Sequence, residues 1–170
     1  MGKKEKKIFS ILHPREDFKC LDLQCLKGKL LSYLAQNMSR TSELWGLYLT
    51  QDSYEKDRRK LMQNYDNIQL YNASPLDIPA SDNFFDCVIG LELFYNISNR
   101  EKLFQEVFRV LKPLGRLVLV DHSGFLQKID LKTELLTVDF QDILISEFRY
   151  RLLYKRTLVE AIKPYVDLMY

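Results

Sequence analysis

The chain has 170 residues, of which 46% are hydrophobic and 28% are charged, and its formal net charge is +2. This composition excludes a disordered chain, and no apolar run approaches the roughly 20 residues needed to cross a bilayer. A net charge this small is no strong signal for a nucleic-acid-binding surface.

The chain begins with MGKKEKKIFSILHP, in which the segment GKKEKK is strongly basic. This stretch has neither a long apolar segment nor a small-residue cleavage site, so we expect no secretory signal and a cytoplasmic protein. A short basic segment of this kind is typical of a solvated or disordered chain end. We therefore interpret residues 1–17 as an N-terminal extension of a single domain that covers 1–170.

Apolar segments predict seven strands, and the patterns between them predict helices. The strands are expected at 18–23, 44–49, 67–71, 85–91, 115–121, 143–150 and 154–162, and the helices at 28–37, 52–64 and 99–112. Strands that alternate with helices, several of them almost wholly apolar, are typical of a sheet covered on both faces. The sequence therefore predicts a doubly wound α/β fold.

The loop after the first strand is the first candidate site. The stretch FKCLDLQCLKGKLLSYLAQ, residues 18–36, reads as strand, loop and helix, a junction at which many α/β proteins hold a nucleotide. Such a loop is usually rich in glycine, but only Gly28 is present. A lone glycine is equally compatible with an ordinary strand-to-helix turn.

The three cysteines follow no paired spacing, which argues against a disulfide framework and against a zinc site. Cys20 and Cys87 fall inside apolar strands, where we expect them to be buried as small hydrophobic residues. Cys25 lies on the candidate loop, and its environment stays open at this point.

The helix predicted at 99–112 has the clearest apolar face. That face consists of Leu103, Phe104, Val107, Phe108 and Leu111. Ser98 and Glu101 have the spacing of a capping box at its start, and Pro113 and Gly115 are expected to end it.

The last two predicted strands are separated only by Arg151 to Leu153. A link this short allows a hairpin over 142–163 but not a parallel crossover.

The stretch SPLDIPASDNFFDCVIGLELFYNISNREKLFQEVFRVLKPLGRLVLVDHS, residues 74–123, carries a family resemblance. With the order of strands and helices, it resembles the class I S-adenosylmethionine-dependent methyltransferases, and in particular their type 11 small-molecule branch. The resemblance covers the core from residue 18 to residue 121, and the hairpin fits it in topology. It implies a Rossmann-like sheet of order 3-2-1-4-5-7-6 with strand seven antiparallel.

The resemblance also implies cofactor-binding residues in LDLQCLKG. The family places an acid after strand one and then a Gly-x-Gly-x-Gly turn, because the backbone must approach the ligand closely. Asp22 and Gly28 match this pattern, while Gln24 and Leu26 replace the first two glycines. These replacements suggest a filled or reshaped pocket, in which S-adenosylmethionine binds weakly or not at all.

Two further cofactor positions follow from the resemblance. At the end of strand two, the position of the acid that takes both ribose hydroxyls holds Tyr48, which cannot chelate a diol and is large enough to lie in the adenosine space. Asp52, in the next predicted helix, is a poor substitute. After strand three, Ser74 stands where an acid commonly faces the adenine amino group. The resemblance implies no metal.

Methyl transfer needs alignment of the reactants and sometimes a base. The absence of a catalytic triad from the sequence is therefore compatible with a methyltransferase. Polar groups after strands four and five are the candidate catalytic residues, although residues in such positions more often cap or solvate a loop. They are Glu92, Tyr95, Asn96, His122 and Ser123.

Two hypotheses remain. The chain is a methyltransferase with an altered cofactor site and an unknown, small-molecule or macromolecular substrate, or it is an inactive methyltransferase-like domain that binds or scaffolds a protein partner. A domain for a different nucleotide is a third possibility. Short segments before strand one and between strands five and six predict a bare core without lid helices.

Overall fold

The structure, a computed structural model, describes residues 3–123, 130–150 and 154–165. Five helices and a short 3-10 helix alternate with strands in these ranges. The helices are α1 (Lys3–Leu12), α2 (Lys29–Asn37), α3 (Gln51–Met62), α4 (Arg100–Val110) and α5 (Leu131–Leu136), and the 3-10 helix is Phe94–Asn96. The strands are β1 (Lys19–Asp22), β2 (Glu43–Tyr48), β3 (Ile68–Asn72), β4 (Phe85–Leu91), β5 (Leu111–His122), β6 (Gln141–Tyr150) and β7 (Tyr154–Ile162).

The seven strands form one sheet of order β3-β2-β1-β4-β5-β7-β6. Strands β1 to β5 pair in parallel, whereas β7 is antiparallel to both β5 and β6. The predicted doubly wound fold and the predicted strand order are therefore confirmed. The link at 151–153, from which the hairpin was inferred, lies outside the described residues.

Neighbouring residues of the central strands point to opposite faces of the sheet, and each face has its own buried cluster. On β1, Cys20 belongs to the cluster under α1, α2 and α3, whereas Leu21 belongs to the cluster under α4 and α5. Cys20 lies beside Cys87 of β4, and both are buried as expected. The core is thus covered on both faces.

Helix α1 corrects the interpretation of the start of the chain as a solvated or disordered end. Lys6 and Lys7 are exposed, but Ile8 and Ile11 on the opposite side are buried against the sheet. The helix forms because its apolar residues recur at helical spacing and find a partner surface. Helices α1 and α5 (Leu131–Leu136) also occupy the segments before strand one and between strands five and six, for which a bare core without lid helices was predicted, and both pack against the buried clusters of the sheet.

The start of α4 corrects the predicted capping box. The cap is Asn99, whose Oδ1 accepts a hydrogen bond from the backbone N–H of Lys102 over 3.0 Å. Ser98 lies one residue outside the helix and does not cap it. At the other end, α4 stops at Val110 and β5 begins at the next residue, so neither Pro113 nor Gly115 ends the helix.

Candidate functional site

The loops that follow β1, β2 and β4 meet at one edge of the sheet. Parallel pairing aligns the carboxyl ends of these strands, with Asp22 beside Gly46 of β2 and beside Ile89 of β4. The loop after β1 is fixed from both sides, because the Leu23 N–H donates to Ile89 O and the Cys25 N–H donates to Leu47 O. These backbone hydrogen bonds therefore hold the candidate loop in place at the carboxyl end of the sheet.

Asp22 shapes the first turn of this loop. Its side chain is buried, and Oδ1 accepts a hydrogen bond from the Gln24 backbone N–H over 3.1 Å. A carboxylate that bonds to the amide two residues on stabilises a tight turn. Asp22 thus has a local structural role at the position where the sequence placed a ligand-binding acid.

Gly28 is required by packing and by backbone conformation. Its φ is 59°, in the left-handed region that favours glycine. A Cβ at this position would also collide with Leu61 Cδ1, on the inner side of α3. The ordinary interpretation of a strand-to-helix turn therefore explains Gly28 without a ligand.

Gln24 and Leu26 differ in their environments. Gln24 is only 9% exposed, and its Oε1 has no hydrogen-bond partner among the residues that the structure describes. Leu26 is 57% exposed at the surface of the loop. A buried acceptor without a partner is unusual in a folded protein, whereas a single exposed leucine is ordinary.

Tyr48, at the end of β2, is buried and hydrogen-bonded. Its hydroxyl donates to Asp57 Oδ2 over 3.3 Å and accepts from the Cys25 thiol, with 3.5 Å between sulfur and oxygen. Burial raises the pKa of both Tyr48 and Cys25 well above their ordinary values. The two groups are therefore neutral at physiological pH, and Cys25 is a poor nucleophile.

Two cavities flank the loop of Gln24 to Lys27. The first, here named the Tyr48 cavity, has a volume of about 470 Å³. It is lined by Gln24, Cys25, Leu26, Lys27, Leu47, Tyr48, Leu49, Thr50 and Asp57. The second, here named the Asp22 cavity, has a volume of about 250 Å³ and is lined by Glu5, Asp22, Gln24, Leu26, Lys27, Lys29, Leu30, Leu91 and Glu92. Helix α1 thus contributes Glu5 to the edge of the site.

The candidate residues after β4 lie in a strained turn. Glu92 has a φ of 53°, which is uncommon for a residue with a side chain, and its Oε1 accepts from Arg156 over 3.0 Å. Tyr95 is 87% exposed. Asn96 ends the 3-10 helix, and only its backbone is described.

The candidate residues after β5 separate into an exposed and a buried one. His122 is exposed, while Ser123 is buried and accepts a hydrogen bond from the Thr157 hydroxyl. Near the end of β5, Asp121 Oδ2 accepts a hydrogen bond from the backbone N–H of Phe94 and so fixes the turn after β4. The geometry brings Glu92 to the Asp22 cavity but places neither Tyr95 nor His122 in either cavity.

Ser74, the third predicted cofactor position, lies apart from both cavities. It is exposed, and its Oγ accepts a hydrogen bond from the Leu76 backbone N–H over 3.1 Å. This bond closes a local turn after β3. Ser74 is not brought together with the other candidate residues.

Sequence reasoning missed three contributors to the site. Glu5 was assigned to an extension, Asp57 belongs to a helix with no distinct signal, and Arg156 lies in the terminal hairpin. Arg156 had no distinct sequence signal either, because it follows Lys155 in a strand that also contains Glu160. Within the described ranges, no group of three metal-ligating side chains is present and no helix is long and apolar enough to cross a membrane.

Comparison with known proteins identifies the fold and the family. The family model described as a methyltransferase domain matches residues 21–119. The curated 2-phytyl-1,4-naphtoquinone methyltransferase of Nostoc is 31% identical over 104 residues, which are 60% of this chain and 45% of that protein. The demethylmenaquinone methyltransferase of Lactobacillus johnsonii is 31% identical over 121 residues, which are 69% of this chain and 49% of that protein.

A solved structure shows the same fold. A SAM dependent methyltransferase from Aquifex aeolicus superposes with a TM-score of 0.78 at 18% identity, over 93% of this chain and 88% of the other. At that identity the likeness concerns the fold alone. The chain spans about half the length of the curated relatives it matches.

Proposed function

The chain belongs to the methyltransferase domain family, and on that premise we propose that it is an S-adenosylmethionine-dependent methyltransferase-like protein with an altered cofactor site. The observation that carries the proposal is Tyr48, buried at the end of β2 with its hydroxyl bonded to Asp57. The family resemblance places the ribose-binding acid at this position. The altered site therefore binds S-adenosylmethionine weakly or not at all.

The residues at the ribose position do not fit a diol. Chelation of two hydroxyls needs a carboxylate with two free acceptor oxygens, whereas Tyr48 offers one hydroxyl that already donates and accepts. Asp57, whose carboxylate also lines the Tyr48 cavity, already accepts from this hydroxyl at Oδ2. Loss of a charge-assisted hydrogen bond of this kind costs about 1.5–3 kcal/mol, or roughly ten- to hundredfold in affinity.

Other features are compatible with descent from an active enzyme. Asp22 keeps its place after β1, and Glu92 lines the cavity next to it. The names of the curated relatives support a small-molecule substrate with a quinone ring, should the chain be active. In that case Glu92 and His122 remain candidates for proton transfer, with Tyr95 and Asn96 nearby in sequence. The single-domain organisation over 1–170 also stays a prediction.

A binding or scaffolding role is the second candidate, and the exposed Leu26 and Leu49 favour it. Both side chains line the Tyr48 cavity, so one bound molecule would cover them together. Such a role needs no catalytic residue, so it is compatible with the engaged Tyr48.

Calorimetric titration of the whole chain with S-adenosylmethionine, and separately with its demethylated product, tests the proposal. We expect no saturable binding, or dissociation constants well above the low micromolar range. A ligand that binds only the native state must also raise the melting temperature, so a thermal shift provides a second measurement. Low-micromolar binding of either compound would contradict the altered-site proposal and support an active enzyme.

A further inference from the structure

We propose that a cavity at the amino ends of β1, β4 and β5 binds a small carboxylate that bears an apolar group. The cavity, here named the Arg15 cavity, has a volume of about 350 Å³, within the usual range for small-molecule sites. Its walls come from the end of α1, the residue before β1 and the first residues of β4 and β5. It shares no lining residue with the Tyr48 cavity or the Asp22 cavity, so this inference goes beyond the proposed function and does not depend on it.

Three basic side chains line the Arg15 cavity, and all three reach solvent. The side chain of Arg15 is 77% exposed, and those of Lys112 and Arg116 are 32% and 34% exposed. Charges that are partly buried are screened less by salt than charges on an open surface. An anion that enters the cavity therefore meets accessible positive groups in a partly shielded place.

The fold holds these cations in position and leaves most of their donors available. Arg116 Nη1 donates to the backbone carbonyl of Ile11 over 2.6 Å, and Lys112 Nζ donates to Asp86 Oδ2 over 2.8 Å. Arg15 Nη2 donates to Asp86 Oδ1 over 3.1 Å. A guanidinium has five N–H donors and an ammonium has three, whereas the described residues provide one hydrogen bond to each of these side chains.

The negative charges near the cavity do not cancel this set. Asp86 lines the cavity, but its side chain is only 8% exposed and its oxygens already accept from two of the cations and from a backbone N–H. Glu160, outside the lining, lies 3.6 Å from Arg116. His13, also in the lining, adds no negative charge in either protonation state.

The balance of charge favours a carboxylate as the ligand's head group. Three cations against the carboxylates of Asp86 and Glu160 leave an excess of one positive charge, which a monoanion would neutralise. The two oxygens of a carboxylate also match the planar fork of a guanidinium.

Apolar side chains line another part of the cavity. Leu12 and Phe18 are buried in its wall, whereas Leu114 is 67% exposed. The φ of Leu114 is 62°, in the left-handed region that disfavours a side chain, and backbone strain of this kind is concentrated at functional sites. An apolar group on the ligand would remove the surface of Leu114 from water.

Four probes test the inference, and NMR chemical shifts of the isotope-labelled whole chain report even weak binding. Benzoate carries both features, benzamide has the same shape without the charge, and acetate has the charge without the ring. We expect saturable binding of benzoate, with an affinity about tenfold or more above those of benzamide and acetate. Equal affinities of benzoate and either analogue, or no binding of benzoate, would overturn the proposal. Tighter binding of inorganic phosphate than of benzoate would overturn it as well.

A charge variant assigns the binding to the cavity. Arg15→Gln changes an exposed side chain, so it should leave the melting temperature nearly unchanged but weaken benzoate by about threefold or more and narrow the difference from benzamide. Arg59→Gln is the matched control, because Arg59 is exposed on α3 and no residue of α3 lines the cavity. If Arg59→Gln weakens benzoate as much as Arg15→Gln, the attraction is nonspecific and the inference is wrong.

A second variant separates binding from stability. Glycine fits the left-handed backbone, so Leu114→Gly should leave the melting temperature unchanged or raised. It should weaken benzoate by about threefold or more and leave acetate unchanged, because only the contact with the ring is lost. An unchanged affinity for benzoate would overturn the apolar part of the proposed ligand. The titration with S-adenosylmethionine concerns the other end of the sheet, so either proposal can fail without the other.

Discussion

The Tyr48 hydroxyl donates a hydrogen bond to Asp57 Oδ2 over 3.3 Å, which connects the end of β2 to helix α3. We expect Tyr48→Phe to lower the free energy of unfolding by about 1 kcal/mol, because a buried hydroxyl and its two partners lose their bonds. Urea denaturation measures the change. Tyr95→Phe is the matched control, since Tyr95 is 87% exposed and its substitution should leave the midpoint unchanged. Equal midpoints for the two variants would show that the Tyr48 hydroxyl is not stabilising.

The second prediction concerns recovery of the cofactor site. The triple change Gln24→Gly, Leu26→Gly and Tyr48→Asp restores the family pattern, and we expect about tenfold or more gain in affinity for S-adenosylmethionine. Stability should fall, because added glycines raise the entropy of the unfolded chain. Calorimetry measures the gain, with the double glycine variant that keeps Tyr48 as control.

Asp57 complicates that recovery. It accepts from the Tyr48 hydroxyl, so the shorter side chain of an aspartate at position 48 would lose that bond and would face the negative charge of Asp57 across a longer gap. Adding Asp57→Asn to the triple variant should therefore increase the affinity further. If neither combined variant binds better than the parent, the site is not a decayed form of the family's site.

The third prediction replaces the expected cap of α4 with the observed one. Asn99→Ala should cost about 1 kcal/mol, because the Lys102 backbone N–H loses its side-chain acceptor. Ser98→Ala, one residue earlier and outside the helix, should change the denaturation midpoint little. A larger effect at Ser98 than at Asn99 would restore the capping box that the sequence predicts.

The fourth prediction tests the packing of Gly28 against Leu61. Gly28→Ala should destabilise the protein by about 2–4 kcal/mol, since the left-handed backbone disfavours a side chain and the new Cβ collides with Leu61 Cδ1. In a Leu61→Ala background the same change should cost less. Thermal or urea unfolding of the four proteins in this cycle measures the coupling. Additive effects would mean that the backbone conformation alone requires glycine.

The fifth prediction concerns acid stability. Burial by itself raises the pKa of Asp86, but hydrogen bonds from Lys112 Nζ and from the Lys19 backbone N–H outweigh it, and the pKa lies below its ordinary value. A carboxyl group with a lowered pKa stabilises the folded state above its unfolded pKa, about 4, and loses that effect as the pH falls through the folded value.

Asp86→Asn should therefore cost about 1–2 kcal/mol at pH 7 and progressively less below about pH 4. Urea unfolding across this pH range, compared with Asp66→Asn at an exposed position, provides the measurement. A cost for Asp86→Asn that stays constant down to pH 2 would mean that the carboxylate charge does not contribute.

Patterns in the sequence predict the helical layers on both faces of the sheet, whereas the strand order followed from the resemblance to the class I methyltransferases. Apolar residues alternate faces along β1 and recur at helical spacing along α4, and these patterns depend on neighbours within a few residues. The short link before β7 was enough to predict an antiparallel partner. Boundaries were less certain, and a shift of one residue moved the cap of α4 from Ser98 to Asn99.

The contacts of the candidate residues follow from the three-dimensional fold and not from local sequence patterns. The sequence identified Tyr48 as a replacement, but Asp57 as its partner depends on how α3 packs beside β2. Likewise, Glu92 accepts a hydrogen bond from Arg156, which lies 64 residues further along the chain, because β7 pairs with β5. The orientation of a side chain and the partners of a buried polar atom depend on contacts between distant segments, and no local pattern in the sequence encodes those contacts.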